Sequence, residues 1–118
     1  MSDRIVVGTR KGLVTASRRG SEWEVDGLAF AEVPVTNVLV DGRDGTWYAS
    51  LDHGYFGVKL HRSADADTTW GEIATPAYPA KPEGLVEREP MGRREIPWST
   101  VLAWEFAAGH PAEPGVLW

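Results

Sequence analysis

Apolar residues recur along this chain with a period of two almost everywhere, and no stretch shows the 3.6-residue period of an amphipathic helix. Period two sends successive side chains to opposite faces, so such runs predict half-buried strands. RIVVGT (4–9) is a short β-branched strand closed by Arg10-Lys11-Gly12, and GLVTAS (12–17) follows it. RRGS then turns the chain into EWEV (22–25). In TNVLV (36–40), Val38, Leu39 and Val40 are consecutive, which predicts a strand buried on both faces. DGRDG (41–45) is strong turn chemistry. TWYASLD (46–52) puts Trp47, Ala49 and Leu51 on one face and Thr46, Tyr48, Ser50 and Asp52 on the other. After DHGYFG the chain alternates again in VKLHR (58–62), and TWGEI (69–73) reads as the next strand. The predicted class is all-β.

Two counts agree with that class. Thirteen glycines and six tryptophans in 118 residues suit many short strands joined by tight corners. A chain of this length buries roughly 65% of its extended surface, enough for one small domain or for part of a larger one. A net charge of −5 without a basic run argues against nucleic acid as a partner. No apolar run reaches membrane-spanning length, and the N-terminus carries no secretory pattern. The absence of cysteine excludes a disulfide framework and fits a reducing compartment. The expectation is a cytoplasmic protein with no cofactor.

Residues 74–98 break the rhythm with five prolines and dense mixed charge, and they read as a long loop or insertion. The strand pattern resumes in STVLAWEF (99–106), AAGHPAEPG turns the chain, and VLW (116–118) opens a further strand. Residues 6–25 can be laid over 48–73. Both read as strand, glycine-bearing turn, strand ending in Ser, polar turn and Trp strand. Trp23 and Trp70 lie 47 residues apart, close to the length of a four-stranded propeller blade. EPGVLW then matches RDGTWY as the start of a third copy.

The stretch SADADTTW (63–70) allows three readings: metal ligands, half of a catalytic carboxylate pair, or structural glue for a turn. A short Asp in a hairpin turn accepts the N–H groups that the turn leaves unpaired, which favours the structural reading. Calcium at Asp65 and Asp67 is the rival, but two carboxylates without a further series of oxygen donors make a poor site. No metal is assigned, and His61 and His110 show no ligand spacing.

Ser63, Asp65, Thr69 and Trp70 match the Asp-box, S-x-D-x-G-x-T-W, and the stretch resembles the BNR repeats of sialidases and related β-propellers. Asp67 stands where Gly is usual, a mild departure because Asp tolerates left-handed geometry. SRRGSEW (17–23) is at most a degenerate copy. With VGTRKGL, WYASLDHGYFGVKLHRS and EPGVLW, the likeness to the N-terminal part of a bacterial sialidase-like BNR-repeat family spans almost the whole chain.

The resemblance implies about two and a half blades of four antiparallel strands. Residues 1–27 would supply strands B to D of a first blade and 34–74 a second blade with the box. Residues 75–98 would be a loop insertion and 99–118 the start of a third blade, with the downstream blades missing from this fragment. It also implies that the box lies away from the ligand face. On the opposite face fall Arg10, Lys11, Asp52, His53 and Tyr55, the candidates for contacting a carbohydrate or protein ligand.

Bland readings stand beside these. Arg10-Lys11 can be a solvated hairpin tip, Asp52 and His53 can fix their own turn, and Tyr55-Phe56 can be packing. The charge run 87–95 is either a solvated, self-paired segment or a lid. Sialidase chemistry needs an arginine cluster, an acid/base Asp and a Tyr nucleophile beside a Glu. The Phe/Tyr-Arg-Ile-Pro signature is absent, and Asp52 is a weak candidate acid with no identified partner. The expected function is therefore a sialidase-like propeller serving as a binding scaffold. An exo-sialidase-type glycoside hydrolase is the alternative, and an assembly factor a third reading.

Overall fold

The computed structural model describes residues 3–86, 88 and 99–118. Seven strands form two antiparallel sheets, and the described residues contain no α-helix. The first sheet joins β1 (Arg4–Thr9), β2 (Gly12–Arg19) and β3 (Glu22–Ala29) in that order. The second joins β4 (Val35–Val40), β5 (Trp47–Asp52), β6 (Val58–Ser63) and β7 (Gly71–Ile73), again in chain order. Each sheet is thus a meander of sequential hairpins, and β1 lies against β4 where the two sheets meet.

The core sits between the sheets. Leu13, Val35, Ala49 and Leu51 are buried there, and Val6, Ala29, Phe30, Val33, Val38 and Trp70 pack around them. Register explains the membership. Val38 pairs with Ala49 and Val35 with Leu51, and these residues pack together with Val6 and Leu13 of the first sheet. Removing a Leu side chain from water is worth about 1.5–3 kcal/mol, which makes Leu13 and Leu51 the main anchors between the sheets.

Gly8 permits the close approach of the sheets, since a Cβ there would sit 3.0 Å from the Val35 carbonyl oxygen. Within the first sheet, a Cβ on Gly12 would sit 2.6 Å from the Ala29 carbonyl oxygen. Gly12 also has φ of 133°, a backbone region that strains any residue with a Cβ.

Three expectations from the sequence need correction. The Val38-Leu39-Val40 run is not buried on both faces: β4 is an edge strand, and Val40 is 47% exposed. An edge strand lacks the second neighbour that would cover it. The stretch 99–106, read as a strand, forms none, and it exposes Val101 and Trp104. Its carbonyls are taken by side chains instead of a ladder: Thr36 Oγ1 donates to Ala103 O at 3.0 Å and Asn37 Nδ2 to Trp104 O at 2.7 Å. Pairing begins later, where Ala107 and Trp118 exchange both backbone bonds and Ala108 bridges Leu117. Finally, Thr69 and Trp70 precede β7 instead of opening it, because their side chains close the preceding turn.

Candidate functional site

Meander topology sorts the loops to two ends. The β4–β5 turn and the β6–β7 turn lie at one end of the second sheet, and the β5–β6 turn lies at the other.

At the first end, the turn after Ser63 is tied by its own side chains. Asp65 Oδ1 accepts the Ser63 hydroxyl at 2.7 Å and the Thr69 N–H at 2.8 Å, while Oδ2 accepts the Thr69 hydroxyl. Ser63 Oγ accepts the Asp67 N–H at 3.0 Å, and Trp70 Nε1 donates to Asp67 Oδ1 at 2.7 Å. Ala66 and Asp67 take φ of 53° and 78°, so Asp67 does occupy left-handed geometry where the motif usually has Gly. These bonds to Thr69, then Ser63, hold the Asp65 carboxyl down to about 2. Both Asp65 oxygens are engaged by protein donors, and no group of three acidic, His or Cys side chains among the described residues is set to hold a metal. Trp70 then packs edge-on to Phe30 with ring centroids 5.0 Å apart, which fastens this turn to the inter-sheet core. Trp23, its counterpart in the proposed repeat, is 47% exposed, so only one of the two tryptophans plays this part.

At the second end, three chain segments converge. The Lys11 carbonyl accepts the Glu32 N–H at 3.0 Å, and Lys11 Nζ meets Glu32 Oε2 at 3.3 Å. This joins the β1–β2 turn to the connection between the sheets. Asp52 N–H donates to Pro34 O at 3.0 Å, which joins that connection to the β5–β6 turn. Asp52 Oδ1 also accepts the Gly54 N–H at 2.9 Å and shapes the short 3-10 turn Gly54–Phe56, in which Tyr55 lies. An open groove of about 420 Å3 results, lined by Glu32, Val33, Pro34, Asp52, His53, Gly54 and Phe56.

Of the predicted contact residues, Asp52 and His53 line this groove and Lys11 reaches it through Glu32. Arg10 is exposed on the neighbouring hairpin tip and is not part of the lining. Asp52 does fix its turn, as its bland reading holds, while still facing the groove. The sequence reading missed Glu32, Val33, Pro34 and Phe56. Their signal was positional: residues 30–34 link the two sheets on the same side as the β1–β2 and β5–β6 turns. The charge run 87–95 lies outside the described residues except for Arg88.

Comparison with protein-family models and with curated proteins finds no match to this chain. Function must therefore be argued from the groove itself. Two carboxylates, an imidazole and a ring that is 73% exposed surround an open depression. Carboxylate and imidazole accept or donate hydrogen bonds to hydroxyls, and an aromatic face covers apolar C–H surface. Among the described residues no arginine lines the groove, so none there offers the bidentate donors that favour a carboxylate ligand. No helix among the described residues is long and apolar enough to cross a membrane.

Proposed function

We propose that the two sheets are successive blades of a β-propeller of the BNR/Asp-box type, sialidase-like in fold, and that the chain is a binding scaffold. Its ligand site is the groove between Glu32 and Asp52, and its ligand is a carbohydrate. Support for the blades comes from sequential four-strand pairing in the second sheet, the box-like turn between β6 and β7, and the packing of β1 beside β4. One observation carries the binding reading. The residues Lys11, Glu32, Asp52 and His53 are gathered from three separate segments around one open groove, at the end remote from the 63–70 turn. Binding groups on loops held by a rigid sheet scaffold are the common arrangement.

A second reading is glycoside hydrolysis, favoured by two carboxylates, Glu32 and Asp52, lining one groove. One experiment separates the two. The chain is titrated with neutral and sialylated oligosaccharides by NMR, and assayed for turnover of chromogenic glycosides. Binding without turnover, weakened by Phe56→Ala and by His53→Ala, is the expected result. Turnover abolished by Asp52→Asn, which keeps the Oδ1 acceptor for Gly54, would establish the enzyme reading. Neither binding nor turnover would refute both.

A further inference from the structure

The strand β7 ends at Ile73, and the chain continues as Thr75-Pro76-Ala77-Tyr78-Pro79-Ala80-Lys81-Pro82 without helix or strand. Proline recurs at every third position. Each Pro has φ locked near −65°, and each residue before a Pro is pushed into the β or polyproline II region. That constrains Thr75, Tyr78 and Lys81 together with the three prolines, leaving Ala77 and Ala80. Neither alanine has positive φ. The local chemistry therefore favours an extended strut in which polyproline II is the regular form open to every residue.

With three residues per turn, such a strut has three ridges. Pro76, Pro79 and Pro82 form one, Ala77 and Ala80 a second, and Thr75, Tyr78 and Lys81 the third. Six residues of rise separate the first and last proline, about 19 Å at 3.1 Å each. The strut has defined ends. Thr75 Oγ1 donates to Val58 O at 3.3 Å, which pins its start to the second sheet, and Thr100 Oγ1 donates to Pro76 O at 2.5 Å, which ties it to the 99–106 stretch. Leu85 N–H returns to Pro82 O at 3.2 Å, with Gly84 at φ 85°, and turns the chain away. Between these ends Ala77, Tyr78, Pro79 and Ala80 are exposed, Tyr78 at 63%.

We infer that residues 75–82 are a docking strut for a domain that reads polyproline II through an aromatic-lined groove. Two compact apolar ridges fit parallel aromatic slots, and the chain enters already ordered, so little conformational entropy is lost on binding. The inference is independent of the carbohydrate reading, because it uses a different segment and a different kind of partner.

The test titrates the whole chain against a panel of purified SH3 and WW domains, with a synthetic peptide of residues 74–83 as competitor. Saturable binding is expected, displaced by the peptide and weakened at least about tenfold, or 1.4 kcal/mol, by the double variant P76A/P79A. The peptide carrying the same two changes should fail to compete, which decides the matter even if the variant chain folds poorly. Absence of saturable binding across the panel, or binding unchanged by P76A/P79A, would leave the segment a stiff connector only.

Discussion

Arg43 closes over Asp41 with Nη2 2.6 Å from Oδ2, and the pair is nearly sealed from solvent, the two side chains being 9% and 0% exposed. The guanidinium also donates to the carbonyls of His110, Glu113 and Val116, at 3.2, 2.9 and 2.9 Å. Arg43 in this way ties the β4–β5 turn to the terminal hairpin, and its hydrogen bonds hold the Asp41 carboxyl below the ordinary carboxylate range.

Arg43→Ala should release that hairpin and leave a buried carboxylate unpaired, so the melting temperature falls. Amide hydrogen exchange at Ala107, Gly109 and Trp118 should accelerate together. Arg43→Lys should not rescue it, since one ammonium cannot match the planar fork that serves Asp41 and three carbonyls. Unchanged exchange at those amides would disprove the clamp.

Asp65 stabilises the fold only while ionised. Its folded value of about 2 lies below the ordinary 3.8, so its contribution is complete above about pH 4 and lost as pH falls towards 2. Urea unfolding of wild type should show stability dropping through that window, and Asp65→Ala should flatten the drop. Added calcium should leave both melting curves where they are.

His61 behaves in the opposite range. Burial depresses its value below 6.5; Glu72 across the ladder opposes this, and His53 and Lys59 add smaller lowering effects. Its Nδ1 is buried without a partner, and its ring meets Phe30 with centroids 5.1 Å apart. Below pH 6.5 the unfolded chain binds the proton more readily, so stability falls as the medium is acidified through that value. His61→Leu should shrink that slope, measured by denaturation between pH 5 and 7. An identical slope in the variant would assign it to other groups.

Leu51→Ala should cost about 2–5 kcal/mol, because Leu51 is fully buried between the sheets. Leu28→Ala, at a side chain 53% exposed, should stay within about 0.5–1 kcal/mol. Equal losses in urea titrations would mean that the inter-sheet core does not dominate stability.

Much of this architecture was legible in the residues. β1 is found where RIVVGT places it, and β2, β5 and β6 differ from the alternating runs by a residue or two. The left-handed place of Asp67 was legible too. Trp47, Ala49 and Leu51 are buried as expected, but Tyr48 and Ser50 on the other face are buried as well, so β5 is covered on both faces where alternation predicted one. STVLAWEF carries the apolar run of a strand, yet Thr36 and Asn37 take its Ala103 and Trp104 carbonyls and no ladder forms there. An apolar run reports a tendency to be covered and is silent on whether a partner edge is available.

The sequence by itself determined the class, most strand positions and the turn after Ser63, because alternation, glycine placement and Asx bonding act over a few residues. Tertiary structure alone decided that Glu32 would meet Lys11 and line one groove with Asp52, and that Arg43 would reach carbonyls 67 to 73 residues away. Those contacts follow from how two twisted sheets pack and where their loops converge, and such geometry leaves no periodic mark on the chain.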